Sequence, residues 1–303
     1  MSAPSAPATV PAALARAIRR LEHTLDDRIP ALIRGEDPDY GRTVRVAVRK
    51  LRVILGVRGV AVLGRKTARN LTADLRWLGR LLGQPRDLAL VRAGLAGAPS
   101  PWLCRAFQYA HGAALRQAAL GLRGPHLARL RLQLAQAGSA LDQAEPMALE
   151  PAAARRALRL LDQAIDRGAR VKGQQDIIAA HEFRKAIRKL RYCCDLLKAH
   201  KQTPWRQALA VEMRGLQDWL GHFQDLATRV MILSHLVDRQ RLDGREVADL
   251  QCAEQWIAAD QARLQAALLR FPARYTAFVA AVEAAGVRPA LEGLANPCPS
   301  GVG

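Results

Sequence analysis

Apolar residues recur along this chain at spacings of three and four, and no stretch alternates apolar with polar over the length of a strand. A three-to-four period gathers apolar side chains on one face of a helix. Glycine and proline divide the pattern into expected helices at 10–34, 39–63, 66–82, 85–97, 101–122 and 125–137. A second series follows at 150–170, 174–200, 203–221, 223–241, 244–270 and 272–285. The reading is an all-α chain. Ala137 to Pro146 is the expected linker between halves of roughly 10–138 and 146–285. Residues 1–9 are mostly Ala, Pro and Ser, and 286–303 hold Pro289, Pro297, Pro299 and, after Gly286, the glycines Gly293, Gly301 and Gly303. Both ends are therefore expected to be disordered tails.

Two of these helices carry a strong polar pattern. In 174–200 the apolar stripe is Phe183, Ile187, Leu190, Cys194 and Leu197. Away from it runs a row of His181, Arg184, Arg188 and Arg191, flanked by Lys185 and Lys189. At 1.5 Å per residue that row is about 15 Å long. In 39–63 the stripe is Val44, Val48, Leu51 and Leu55, and the basic row is Arg42, Arg45, Arg49 and Arg52 beside Lys50. An offset of 139 residues carries Arg45 onto Arg184, Arg49 onto Arg188, Lys50 onto Lys189 and Arg52 onto Arg191. A second block repeats at an offset of 138: Leu82-Gly83-Gln84-Pro85-Arg86-Asp87-Leu88-Ala89 against Leu220-Gly221-His222-Phe223-Gln224-Asp225-Leu226-Ala227. Two blocks in one order with nearly one offset point to internal duplication. The expected architecture is two four-helix-type bundles related by a pseudo-two-fold, with additional helices.

Charge sharpens this picture. The chain has 46 basic and 27 acidic residues, a net charge of +19. Seven of the basic residues are lysine and 39 are arginine, whose planar fork grips phosphate oxygens with paired hydrogen bonds. Close like charges on a helix repel. Yet the first basic helix has only Asp39 as a local acid, and the stretch 181–192 has only Glu182. Either acids from other helices neutralise these rows or an external polyanion does. Asp87 and Asp225 each follow a glycine-containing turn. They fit acids favoured by a helix N-terminus, or acids that orient an arginine of the basic rows.

Other chemistry has little support. No HExxH, GxxxxGK[ST] or Ser/His/Asp signature is present, so neither a metal site nor a catalytic centre is expected, and no cofactor is implied. The five cysteines are scattered without CxxC spacing, which fits reduced thiols in a cytoplasmic protein. The N-terminus lacks the basic and apolar regions of a secretory leader, and no run approaches the ~20 apolar residues of a membrane span. A nucleic-acid-binding helical protein is the alternative that the charge allows. Against it stand the absence of helix-turn-helix spacing or a zinc finger, and the lack of aromatics among the basic residues beyond Tyr192.

The stretch His181-x-x-Arg184-Lys185-x-x-Arg188-Lys189-Leu190-Arg191-Tyr192 resembles the signature of the CHAD family, the conserved histidine α-helical domain. Leu216-Gln217-x-x-Leu220-Gly221-x-x-Gln224-Asp225 is similar to that family's second block. The resemblance covers about residues 10–285 and implies a non-catalytic domain that binds inorganic polyphosphate and associates with polyphosphate granules. The binding residues it implies are His181, Arg184, Lys185, Arg188, Lys189 and Arg191, with Arg42, Arg45, Arg49, Lys50 and Arg52. One departure is Arg42, which stands where the family's first-half motif begins with histidine. Some relatives also carry a triphosphate-tunnel domain with an ExExK motif, and this chain has none.

Overall fold

Thr9 starts the first helix: its side chain accepts a hydrogen bond from the Ala12 N–H at 3.3 Å, and Pro11 needs no backbone donor in the opening turn. The computed structural model describes residues 8–37, 41–94, 101–171, 176–242 and 247–297. In chain order the helices are α1 (Val10–Arg34), α2 (Arg42–Leu63), α3 (Arg65–Leu81), α4 (Gly83–Gly94), α5 (Pro101–Arg123) and α6 (Pro125–Asp142). They continue as α7 (Leu149–Ala169), α8 (Ile177–Cys194), α9 (Pro204–Leu242), α10 (Val247–Leu269), α11 (Phe271–Ala284) and α12 (Val287–Ala295). A 3₁₀ turn at Lys198–His200 precedes α9. The extended contacts among the described residues amount to one isolated bridge, Thr9 to Ala148, so the chain is all-α as its periodicity predicts.

Three expectations fail in instructive ways. Residues 203–241 form one 39-residue helix, α9, where two were expected. The matching segment in the first half does break, at Leu82 between α3 and α4. Pro85 accounts for the difference: its ring clashes with the carbonyl four residues back and it donates no hydrogen bond. The repeat places Phe223 at that position, and the second helix continues through Gly221. The linker is also shorter than expected, because α6 runs on to Asp142 through Gly138 and Ser139. Finally, the segment after Gly286 is not a tail. Gly286 adopts φ 61°, a left-handed conformation that favours glycine, and α12 follows. Val287, Leu291 and Ala295 are buried on its inner face, and α12 packs on α7. Pro289 is tolerated because it falls in the first turn. Apart from Ala8 and Thr9, the expected N-terminal tail lies outside the described residues, as do Asp39, Cys298 and the last residues of the chain.

The main core is continuous across both halves. It joins Leu14, Leu21 and Leu51 from the N-terminal half to Ala154, Leu160 and Phe183 from the other. The α1–α2 and α7–α8 pairs pack closely, and α2 also packs on α8. A smaller core, with Trp102, Phe107, Leu233 and Val237, ties α4 and α5 to α9 and α10.

Both apolar stripes behave as their spacing predicts. Val44, Val48, Leu51 and Leu55 are buried, and so are Phe183, Ile187, Leu190, Cys194 and Leu197. Beneath α8, Phe183 sits edge-on to Phe271, Tyr275 and Phe278 at centroid distances of 5.3, 6.0 and 6.2 Å. Aromatic pairs favour this geometry. Tyr275 reaches the cluster across Gly168 of α7, where a Cβ would lie 2.3 Å from its ring, and donates to the Ile165 carbonyl at 2.9 Å. Burying these stripes fixes the rotation of α2 and α8 and turns their basic rows out of the core.

Candidate polyanion-binding site

A helix that buries one stripe must present the other, and α2 and α8 present arginine along a shared trough. Two cavities of about 590 and 390 Å³ lie along it. Each is lined by nine basic side chains, of which Arg49, Arg52, Arg76 and Arg188 line both and form the waist between them. Among the described residues the trough therefore gathers fourteen cations, and the acids on its walls are Glu182 in the larger cavity and Asp87 in the smaller.

The single turn between α2 and α3 helps assemble this wall. Gly64 adopts φ 77°, which a side chain would oppose, and lets α3 fold straight back along α2. The α3 arginines Arg65, Arg69, Arg76 and Arg80 then join the trough, Arg80 in the smaller cavity. Arg86 enters from α4, and Arg156 from α7. Arg156 lies against Gly56 of α2, where a Cβ would meet its guanidinium at 3.4 Å.

The two helices repeat one local arrangement. Arg45 lies over Gly83, whose added Cβ would be 3.8 Å from the guanidinium, and Arg184 lies over Gly221 at 3.9 Å. Asp87 favours the charge on Arg45, and Asp225 favours that on Arg184. Asp225 lies mid-helix in α9, so it is no N-terminal acid. Asp87 also lies 3.2 Å from Arg86, so of the two roles open to these aspartates the electrostatics favour facing an arginine.

Electrostatically the trough is under-compensated. Burial lowers the pKa of Arg45 to about 10, with Arg86 and Arg49 adding repulsion against the attraction of Asp87. Burial lowers Arg188 to about 10 as well, reinforced by Arg184, Arg49 and Arg45. Arg49, Arg52, Arg156, Arg184 and Lys189 shift down in the same sense, with burial first among the causes. At neutral pH these groups remain cations. The buried Nε atoms of Arg49, Arg52, Arg156 and Arg184 have no hydrogen-bond partner in the protein. Buried cations normally have partners, and an unpaired donor carries its full desolvation cost. Phosphoryl oxygens are acceptors of the right charge to satisfy several of these forks at once.

Most residues singled out from the sequence come together here. Arg42, Arg45, Arg49, Arg52, His181, Arg184, Lys185, Arg188 and Lys189 all line the trough. His181 shares the smaller cavity with Arg42 and is hydrogen-bonded through Nδ1 to Gln224 Oε1, while Gln224 Nε2 donates to Thr228 at 3.2 Å. Lys50 and Arg191 are not among the lining residues. The Arg191 guanidinium instead lies 5.3 Å from the centroid of the Tyr192 ring. The contributions of α3, α4 and α7 were missed. The α3 arginines recur at spacings of four and seven, a one-face pattern that was open to reading.

Residues 12–234 match the CHAD domain family. The chain belongs to the CHAD family. Among solved structures, it is similar to the crystal structure of the CHAD domain from the plant Ricinus communis, with 26% sequence identity and a TM-score of 0.74. That match covers 91% of this chain and 94% of the plant domain. No curated protein sequence matches the chain. The matched residues take in α2, α3, α4, α7 and α8, the helices that supply the trough cations. Among the described residues no helix is long and apolar enough to cross a membrane, and no three His, Cys, Asp or Glu side chains are grouped to hold a metal.

Proposed function

We propose that this protein binds inorganic polyphosphate, without transforming it, in the trough between α2 and α8, and that this binding places it on polyphosphate granules in the cytoplasm. Membership of the CHAD family supports a polyphosphate-related role in general. The observation that carries the finer reading is the charge of the trough: fourteen cations face two acids, and four buried guanidinium Nε atoms have no partner in the protein. A linear polymer with negative charge on every unit satisfies such a row along its length. Arginine forks supply the grip, and release of counterions from polymer and protein supplies much of the free energy.

The trough suits a thin, flexible polyanion better than stacked bases. Nucleic-acid sites on single strands offer aromatic faces to the bases. Tyr192, the aromatic of the basic rows, is only 8% exposed and lies under Arg191. The trough also lacks the carboxylate cluster that would hold catalytic magnesium, its two acids lying in different cavities. Replacing Arg184 and Arg188 together by glutamate tests the site. Polyphosphate affinity is expected to fall by more than about 100-fold, with the helical circular dichroism unchanged. Retained affinity in the folded double variant would place the site elsewhere.

A further inference from the structure

Among the described residues, Glu182 is the one acid on the wall of the larger cavity, and its carboxylate is engaged by two cations. One oxygen is paired with Lys185 one turn along α8, and the other lies 3.6 Å from Arg167 of α7. Arg167 also donates to the Glu182 main-chain carbonyl at 3.5 Å, which ties the C-terminal end of α7 to the start of α8. A third cavity of about 480 Å³ shares Glu182 with the trough and is lined by Arg167, Arg170 and Asp176 as well. Glu182 thus lines both the basic trough and a cavity of mixed charge that carries Arg167 and Arg170. Its side chain is 38% exposed, so solvent reaches this ion pair and its rearrangement is inexpensive.

We propose that Glu182 is a built-in counter-ion that closes the side of the trough in the free protein, and that a long polyphosphate chain displaces it and continues over Arg167 and Arg170. This rests on the polyphosphate reading above. In the free state the carboxylate shields Lys185 and Arg167 from repulsion by the trough. When a phosphoryl group takes its place, both cations pass to the polymer and the path gains two contacts, Arg167 and Arg170. Arg170 is held by Asp166 one turn away, at 2.8 Å, and remains 70% exposed. The extension serves only chains long enough to leave the waist at Arg49, Arg52, Arg76 and Arg188. A three-phosphate chain can be held there and gains nothing from it.

The experiment measures binding of long-chain polyphosphate and of tripolyphosphate to the full chain. The variants are Glu182→Gln, the Arg167→Gln/Arg170→Gln double variant, and Glu283→Gln as a control that removes the same charge from a residue lining none of the three cavities. Glu182→Gln is expected to tighten long-chain binding about fivefold, against a change of less than about twofold for Glu283→Gln. Arg167→Gln/Arg170→Gln is expected to weaken long-chain binding about tenfold and to leave tripolyphosphate binding unchanged. If wild type binds polyphosphate but Glu182→Gln matches Glu283→Gln, or the double variant loses both ligands equally, the gated extension is wrong while the trough stands. If wild type binds no polyphosphate, the underlying reading falls and this inference with it.

Discussion

Arginine enters the interior of this protein in two ways. Between α9 and α10, Asp260 is fully enclosed and accepts hydrogen bonds from Arg229 Nη2 at 2.6 Å and Arg263 Nη1 at 3.1 Å. A similar knot joins α3 to α6, where Asp74 is bonded to Arg129 and to His126, whose ring stacks on Trp77 at 3.9 Å. In these places cation and anion arrive together and lock helices. In the trough between α2 and α8, by contrast, arginines from several helices converge with almost no acid to meet them. Folding alone gives no reason to gather them: burial lowers the pKa of Arg45 and Arg188 to about 10, and cationic neighbours push both the same way. The contrast separates arginines that hold the fold from arginines that, on the proposed reading, wait for an anion.

Single substitutions should break this comparison in opposite directions. The largest effect is expected at the structural knot. Arg229→Ala leaves the enclosed Asp260 carboxylate with Arg263 alone, and urea denaturation should show a loss of about 3 kcal/mol. In the trough the sign should reverse. Arg188→Met removes a half-buried cation whose strongest charged neighbours, Arg184 and Arg49, are also cations, and the ligand-free protein should gain about 1 kcal/mol of stability by the same measurement. The same variant should bind polyphosphate about tenfold more weakly. A destabilised Arg188→Met protein would mean that this arginine supports the fold, and the contrast between the two regions would be lost.

Much of this was legible in the sequence, and particular residues show where legibility ended. The stripes through Val44 and Leu51 and through Phe183 and Leu190 fixed which faces of α2 and α8 enter the core, because helical geometry alone determines them. That left the two basic rows facing outward, and their convergence on one trough is a tertiary fact. Spacing could not say that Arg191 would lie against Tyr192, or that Lys50 would fall outside the lining. It did contain the Arg65, Arg69, Arg76, Arg80 face of α3, whose importance emerges only once Gly64 folds α3 along α2. The terminal helix α12 runs through a stretch whose proline and glycine content predicts a tail. Val287, Leu291 and Ala295 at spacings of four carried the opposite signal.

The central claim is that the trough selects polyphosphate and does not merely attract negative charge. It is tested most directly by a salt titration of binding to long-chain polyphosphate, with duplex DNA at matched charge as competitor. The predicted result is a preference for polyphosphate that persists at physiological ionic strength, because several forked contacts inside a half-enclosed trough are screened less than contacts on an open surface. Equal affinity for the two polymers, collapsing together as salt rises, would contradict it and mark the protein as a general polycation.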